Sequence, residues 1–119
     1  MGRYILEVAE VSFGKIVIDG RTFTEDIVIS KGKIEFRKKS VSRMMKHEYG
    51  HTPLTVHENI PWDCGTLIVG TGMYGSLPVT DDVFKKAEQL GVKLVLKKTK
   101  DAAKSLNDPD TNFVLHITC

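Results

Sequence analysis

The sequence predicts an α/β fold: a three-layer domain with a mixed central sheet, built from a Rossmann-like βαβαβ C-terminal half and N-terminal antiparallel β-hairpins. Three observations lead there. The first third of the chain is a series of short β-branched runs separated by turn dipeptides. From Thr66 onward apolar strands alternate with segments of helical periodicity. Between them, Leu67-Ile68-Val69 ends abruptly in Gly70-Thr71-Gly72-Met73-Tyr74-Gly75, as a buried parallel strand ends at a ligand-facing loop. A length of 119 residues gives one domain, 1–119, with a single modest core.

Taken in order, residues 5–13 read as a strand, and Gly14-Lys15 turns the chain into Ile16-Val17-Ile18. Asp19-Gly20 is a type I′ hairpin signal. Ile27-Val28-Ile29 and Ile34-Glu35-Phe36 flank Lys31-Gly32-Lys33, a further hairpin, and its alternation places Ile34 and Phe36 inward and Glu35 and Arg37 outward. Residues 39–62 lose periodicity and carry Gly50, Pro53 and Pro61, a loop long enough to imply a function, with one short helical turn within 54–60. Leu67-Ile68-Val69 follows as the apolar strand. Thr80 caps a helix whose first turn holds Asp81 and Asp82, where carboxylates complement the helix dipole. Val83, Phe84, Ala87 and Leu90 share one face, and Gly91 ends it. Residues 92–96 form the next strand. Thr99 caps a second helix through Ala102, Ala103 and Leu106, stopped by Asn107-Asp108-Pro109, and 113–117 is the last strand. Two such crossovers imply parallel pairing.

Composition excludes several classes. With 17 basic and 15 acidic residues the net charge is +2, too weak a field to select nucleic acid or an anionic membrane. The basic run Lys31 to Lys39 is broken by Glu35 and reads as a solvated hairpin face. No stretch has the length of a membrane span, and Met1-Gly2-Arg3-Tyr4 does not open a secretory segment. Two cysteines make no disulfide framework, so a cytoplasmic location is the expectation.

Three motifs carry chemistry. Gly70-Thr71-Gly72-Met73-Tyr74-Gly75 matches G-x-G-x-x-G, and Lys97 and Lys98 follow the next strand where an NADP enzyme places cations for the 2′-phosphate. Against a nucleotide site, the helix begins past Pro78, far from the glycines. His47-Glu48-Tyr49-Gly50-His51 matches H-E-x-x-H, with His57 in a third ligand's place. Gly50 and Pro53 deny it the helix that would aim two rings at one zinc ion, so the trio His47, His51, His57 is rejected as a metal site. In His116-Ile117-Thr118-Cys119, strand alternation puts His116 and Thr118 on one face and Cys119 on the other, which opposes a Cys–His nucleophilic pair.

Four places in the chain carry a resemblance. They are Asp26-Ile27-Val28-Ile29 with Gly32-Lys33-Ile34 and Arg37; His51-Thr52-Pro53; Gly70-Thr71-Gly72-Met73 with Leu77-Pro78-Val79; and His116-Ile117-Thr118-Cys119. In their order the chain resembles a small α/β family of unknown function. That family includes uncharacterised archaeal and bacterial proteins, an adipogenesis-associated protein and a mitochondrial assembly factor for respiratory complex I. The resemblance implies the layered α/β fold and, through its assembly-factor members, protein contacts. It implies no reaction and weakens the zinc reading.

The expected function is a non-catalytic small-ligand or anion-binding module, or a protein-interaction module, using the Gly70-Thr71-Gly72 turn. The amides at Thr71, Gly72 and Met73 are the expected donors, Tyr74 a wall, and Arg37 and His51 the side chains approaching from the loop. The alternatives are an NADP- or nucleotide-dependent enzyme using Gly70, Gly72, Gly75, Lys97 and Lys98, and an assembly or chaperone-like interaction protein. An unknown small anion or protein is the expected partner, and a homo-oligomer is compatible with the surface.

Overall fold

The computed structural model describes residues 5–46 and 50–119. Among the described residues there are two sheets. Strands β1 (Val8–Ser12), β2 (Lys15–Ile18) and β3 (Arg21–Phe23) form an antiparallel meander. Strands β4 (Ile27–Ser30), β5 (Lys33–Phe36), β6 (Thr66–Thr71), β7 (Lys93–Lys97) and β8 (Thr111–His116) form a five-stranded sheet in the order β5-β4-β8-β6-β7. Helix α1 spans Asp81–Leu90 and the short α2 spans Thr99–Ala102, continued by a 3₁₀ turn at Ala103–Ser105. The predicted α/β class and the mixed central sheet are what the structure shows.

Local chemistry explains most boundaries. Asp19 and Gly20 both take positive φ, 51° and 74°, as the twist of a tight hairpin between β2 and β3 requires. Asp81 and Asp82 occupy the first turn of α1, and Gly91 closes it in the left-handed region at φ 69°. The position before α1 is indeed Thr80, but its hydroxyl donates to the Leu54 carbonyl at 3.3 Å rather than capping the helix. Likewise Thr99 is the first residue of α2, with Lys98 in the cap position, and its hydroxyl serves β8 instead. The expected helical turn within 54–60 is a single bend, from Glu58 N–H to the Thr55 carbonyl.

Strand alternation sorts the core into two faces. Ile27, Ile29, Ile68, Phe113 and Leu115 face the meander's Ile16 and Ile18 and the α2 residue Ala102. Val28, Leu67, Val69 and Val114 face α1 through Val83 and Ala87, and the long loop through Leu54 and Ile60. The layers are therefore meander with α2, central sheet, and α1 with loop. The loop is structural: Leu54 is fully buried and bridges Val79 in parallel fashion.

Parallel β6 lies between β7 and β8. The β6–α1–β7 connection joins neighbours, whereas β7–α2–β8 crosses to the other side of β6 and the other face of the sheet. Strand direction of connection thus reverses between β6 and β8, and their carboxyl ends, Thr71 opposite His116, sit at a topological switch point. Phe113, fully buried at the centre of the sheet, tests this core. Replacing Phe113 with Ala is expected to cost about 3–5 kcal/mol in urea unfolding, from lost burial and the cavity left behind.

Candidate functional site

Register alone brings three chemically active side chains into a row. Ile27 pairs with Phe36 across the β4–β5 hairpin and with Leu115 across β4–β8. One residue outward from those pairs, Asp26 therefore stands between Arg37 and His116. Their parity matches Val28 and Val114, so all three lie on the face that carries α1 and the loop. The loop then covers them. Arg37 is 6% exposed, Asp26 3% and His116 7%.

This corrects the expectation that Arg37 points outward. The parity was read properly, but the face is not wet at that end, because residues 39–60 fold back over it. Phe36, expected inward, is half-exposed at 55% on the other face, where its ring meets Phe23 edge-on at 6.3 Å. As a candidate ligand residue Arg37 is already occupied. Its Nε donates to Glu58 Oε1 at 2.6 Å and its Nη2 to Glu58 Oε2 at 3.0 Å, a bidentate pair. Nη1 donates to Asp26 Oδ2 at 2.8 Å and Nη2 also to the Pro53 carbonyl at 2.9 Å.

The network continues on both sides. Ser42, from the 3₁₀ segment Lys39–Met45, donates to Glu58 Oε2 at 2.7 Å, and its hydroxyl also meets that of Thr55 at 2.7 Å. On the other side Asp26 Oδ2 lies 2.7 Å from His116 Nδ1, and Oδ1 accepts the Ile117 amide at 3.0 Å. The Thr118 hydroxyl is 3.1 Å from His116 Nε2. Among the described residues every buried side-chain nitrogen and oxygen has a partner.

Electrostatics follow from these contacts. Burial pushes the Asp26 carboxyl up, but the hydrogen bond from His116, that ring's charge when it is protonated, the Ile117 amide and the Arg37 guanidinium outweigh it and hold the group at about 2. Burial likewise works against charge on Arg37, and the Glu58 and Asp26 carboxylates overcome it and raise its pKa.

The glycine turn sits at the switch point, and its donors are spoken for. The Gly72 amide donates to Thr99 Oγ1 at 2.9 Å, whose hydroxyl in turn donates to the His116 carbonyl. Met73 N–H donates to the Thr118 carbonyl at 2.7 Å and Tyr74 N–H to the Cys119 backbone oxygen at 2.8 Å. The crevice that a ligand takes in other open α/β sheets is thus occupied here by residues 117–119. Gly72 permits that approach: φ is 102°, and a Cβ there would lie 2.9 Å from the His116 ring. Gly70 has a different reason, since its Cβ would lie 2.9 Å from Thr99 Oγ1 and 3.0 Å from Leu115. Its bareness lets α2 pack on β6.

The remaining predicted residues scatter. Helix α1 starts at Asp81, beyond Leu77-Pro78-Val79, so its amide end does not meet Gly70, Gly72 and Gly75 as a pyrophosphate cradle requires. Lys97, the last residue of β7, and Lys98 after it are exposed, and the Lys98 stem passes 3.7 Å from a Cβ placed on Gly75. His51 is half-buried and His57 exposed in the loop, while His47 and Glu48 lie outside the described residues. Among the described residues no group of three or more His, Cys, Asp or Glu is placed to hold a metal ion. An open groove between loop and α1, lined by Val56, His57, Asp82, Lys85, Lys86 and Gln89, mixes both signs of charge.

Tyr74 is 72% exposed, and its ring lies 6.2 Å from that of Phe13, itself 58% exposed at the β1–β2 turn. The two turns are tied to the same strand end: Gly14 N–H donates to the Ile117 carbonyl at 2.6 Å, one residue before the carbonyls that bind the glycine turn.

A family model described as "Protein of unknown function (DUF498/DUF598)" matches residues 8–108. No curated protein matches the chain. Among solved structures, the conserved hypothetical protein PH1505 from Pyrococcus horikoshii OT3 is similar at 32% identity and a TM-score of 0.77, over 95% of this chain and 99% of that one. A structure titled MT938 has 19% identity and a TM-score of 0.70 over 97% of this chain and 100% of that one. An outer membrane protein from Bartonella henselae shares the fold at 12% identity, with a TM-score of 0.65 over 98% of each chain.

Two measurements check the network. Arg37→Met leaves two buried carboxylates facing each other and is expected to cost about 3–5 kcal/mol in denaturant unfolding. Asp26 titrates at about 2 when folded against an ordinary 3.8, so its stabilisation is present above pH 3.8 and lost as pH falls through 2. That contribution is about 2 kcal/mol, and Asp26→Asn should flatten the acid limb of a stability–pH curve between those values.

Proposed function

This chain belongs to the DUF498/DUF598 family of proteins of unknown function, and on that premise we propose that it is a protein-interaction module. Its contact surface is the exposed Phe13–Tyr74 pair at the glycine turn. The observation that carries this reading is the aromatic pair itself: two large rings, 58% and 72% exposed, tilted at 43° to one another beside a turn whose backbone is internally satisfied. Exposed aromatics on a rigid support are the usual anchors of interfaces.

Charge suggests the partner's character. Lys98 runs alongside Gly75, next to Tyr74, and Lys97 and Lys100 are also exposed. None of the ion pairs among the described residues uses these three lysines. An apolar segment with acidic flanks complements such a surface. Two free cysteines, Cys64 and Cys119, suit a reducing compartment, and we place the protein in the cytoplasm. The small-anion reading is less well supported, because the amides of Gly72, Met73 and Tyr74 already have acceptors.

The test is a displayed peptide library panned against the folded chain, with hits measured by fluorescence anisotropy. The expected hits carry an aromatic or aliphatic anchor with Asp or Glu beside it. Tyr74→Ser should weaken binding at least tenfold without moving the melting midpoint, and Lys98→Glu should weaken it and reduce its salt dependence. Binding indifferent to both changes sinks the proposal.

A further inference from the structure

We propose that Thr118 is an acyl acceptor for small reactive esters and thioesters, its hydroxyl activated by His116 as general base. This goes beyond the interaction reading and does not depend on it. The Phe13–Tyr74 pair lies on the meander side of the sheet, whereas Thr118 shares the opposite face with His116.

The geometry sets the direction of each hydrogen bond. Asp26 Oδ2 also accepts from Arg37 Nη1, so the carboxylate is an acceptor, and His116 must present Nδ1–H to it across 2.7 Å. With Nδ1 protonated, Nε2 of the neutral ring carries a lone pair, and the Thr118 hydroxyl 3.1 Å away donates to it. A carboxylate, an imidazole and a hydroxyl in this order form the arrangement that activates hydroxyl nucleophiles on unrelated folds. Asp26 is a positioning residue: it fixes the tautomer and stabilises the imidazolium when it forms. The order of burial also fits. Asp26 and His116 are buried, while Thr118 and Cys119 are half-exposed, so the reacting end of the row is the accessible one.

Charge around the ring favours the proton transfer. The Arg37 guanidinium faces two carboxylates, Asp26 and Glu58, leaving one net negative charge in the buried cluster that a proton on His116 balances. In the acylation step Thr118 Oγ bonds to the acyl carbon and its proton passes to His116 Nε2. The bond from the acyl carbon to the leaving oxygen or sulfur then breaks, and the leaving group takes the proton from Nε2. No redox partner is required. The amides of Met73 and Tyr74 are engaged by the chain's own oxygens and are not free for an oxyanion. The expected behaviour is therefore a single, slow acylation rather than rapid turnover.

The experiment incubates the full chain with p-nitrophenyl acetate and maps the adduct by peptide mass spectrometry. An ester on Thr118 is released by hydroxylamine, which separates it from acetylated lysines. The expected result is a hydroxylamine-labile acetyl group on the peptide containing Thr118. Thr118→Ser should retain it, Thr118→Val should abolish it, and His116→Gln should slow it about 100-fold. Thr118→Val changes one half-exposed hydroxyl and keeps the His116–Asp26 pair, so it remains informative if the His116 variant fails to fold. For Asp26, long-range ¹H–¹⁵N spectra should show His116 as the Nδ1–H tautomer, converted to Nε2–H in Asp26→Asn with the loss of labelling. Acetyl groups confined to lysines, or labelling at Thr118 unchanged by His116→Gln, overturn the proposal. So does a His116 spectrum showing Nε2–H in the unmodified protein.

Discussion

One buried guanidinium organises this molecule. Arg37 is the point at which the β4–β5 hairpin, the strand β8 and the long loop meet, because its three nitrogens reach Asp26, Glu58 and the Pro53 carbonyl. Removing a guanidinium and two carboxylates from water is expensive, and their attraction offsets the penalty only when the remaining lone pairs are also satisfied. Here they are: Ser42 completes Glu58, and the Ile117 amide and His116 complete Asp26. Such a cluster is a weak source of net stability compared with a hydrophobic plug of the same volume. Its consequence is geometric, since only one placement of the loop satisfies every member.

That placement decides the chemistry at the sheet's end. In open α/β sheets the crevice at the switch point receives ligands. In this chain it receives the chain itself, since β8 runs on through Ile117 to Cys119 across the mouth between β6 and β8. The turn after β6 bends back to bind it through Met73 and Tyr74, while the Gly72 amide is taken by the Thr99 hydroxyl. The glycines that look like a phosphate cradle are instead the condition for two backbone segments to lie against each other. Gly72 clears space for His116 and Cys119, and Gly70 for Thr99. One pattern of glycines serves either purpose, because both need a backbone without a Cβ and with free choice of φ.

The outcome leaves two surfaces at the same end of the molecule. Toward the meander, Phe13 and Tyr74 stand out as a paired apolar feature. Toward the loop, His116 and Thr118 continue a hydrogen-bonded row that begins at the buried ion cluster. Both are held by the same strand end, so the rigidity of residues 116–119 is common to them. The similarity to PH1505 extends over nearly the whole of both chains, so the fold that holds this strand end is shared as a unit.

What the sequence by itself determined was the class of fold and the parity of its strands. Period-two runs, the Asp19-Gly20 turn, the acidic start of α1 and its Gly91 stop are local signals, and local physics is enough to read them. Parity even placed His116 with Thr118, and Arg37 with Glu35, each pair on a single face of its strand. What it could not determine was which stretch of each face the aperiodic loop would cover. Glu58 carried no signal at all, because its partner is 21 positions away and its segment has no period. Asp26 and Arg37 were legible only as separate residues until the β5-β4-β8 register set them beside His116. The tertiary structure alone decided that Arg37 is buried and that the glycine turn's amides are filled from within. Both follow from contacts between segments far apart in the chain, where burial and pairing depend on what arrives from elsewhere rather than on neighbouring residues.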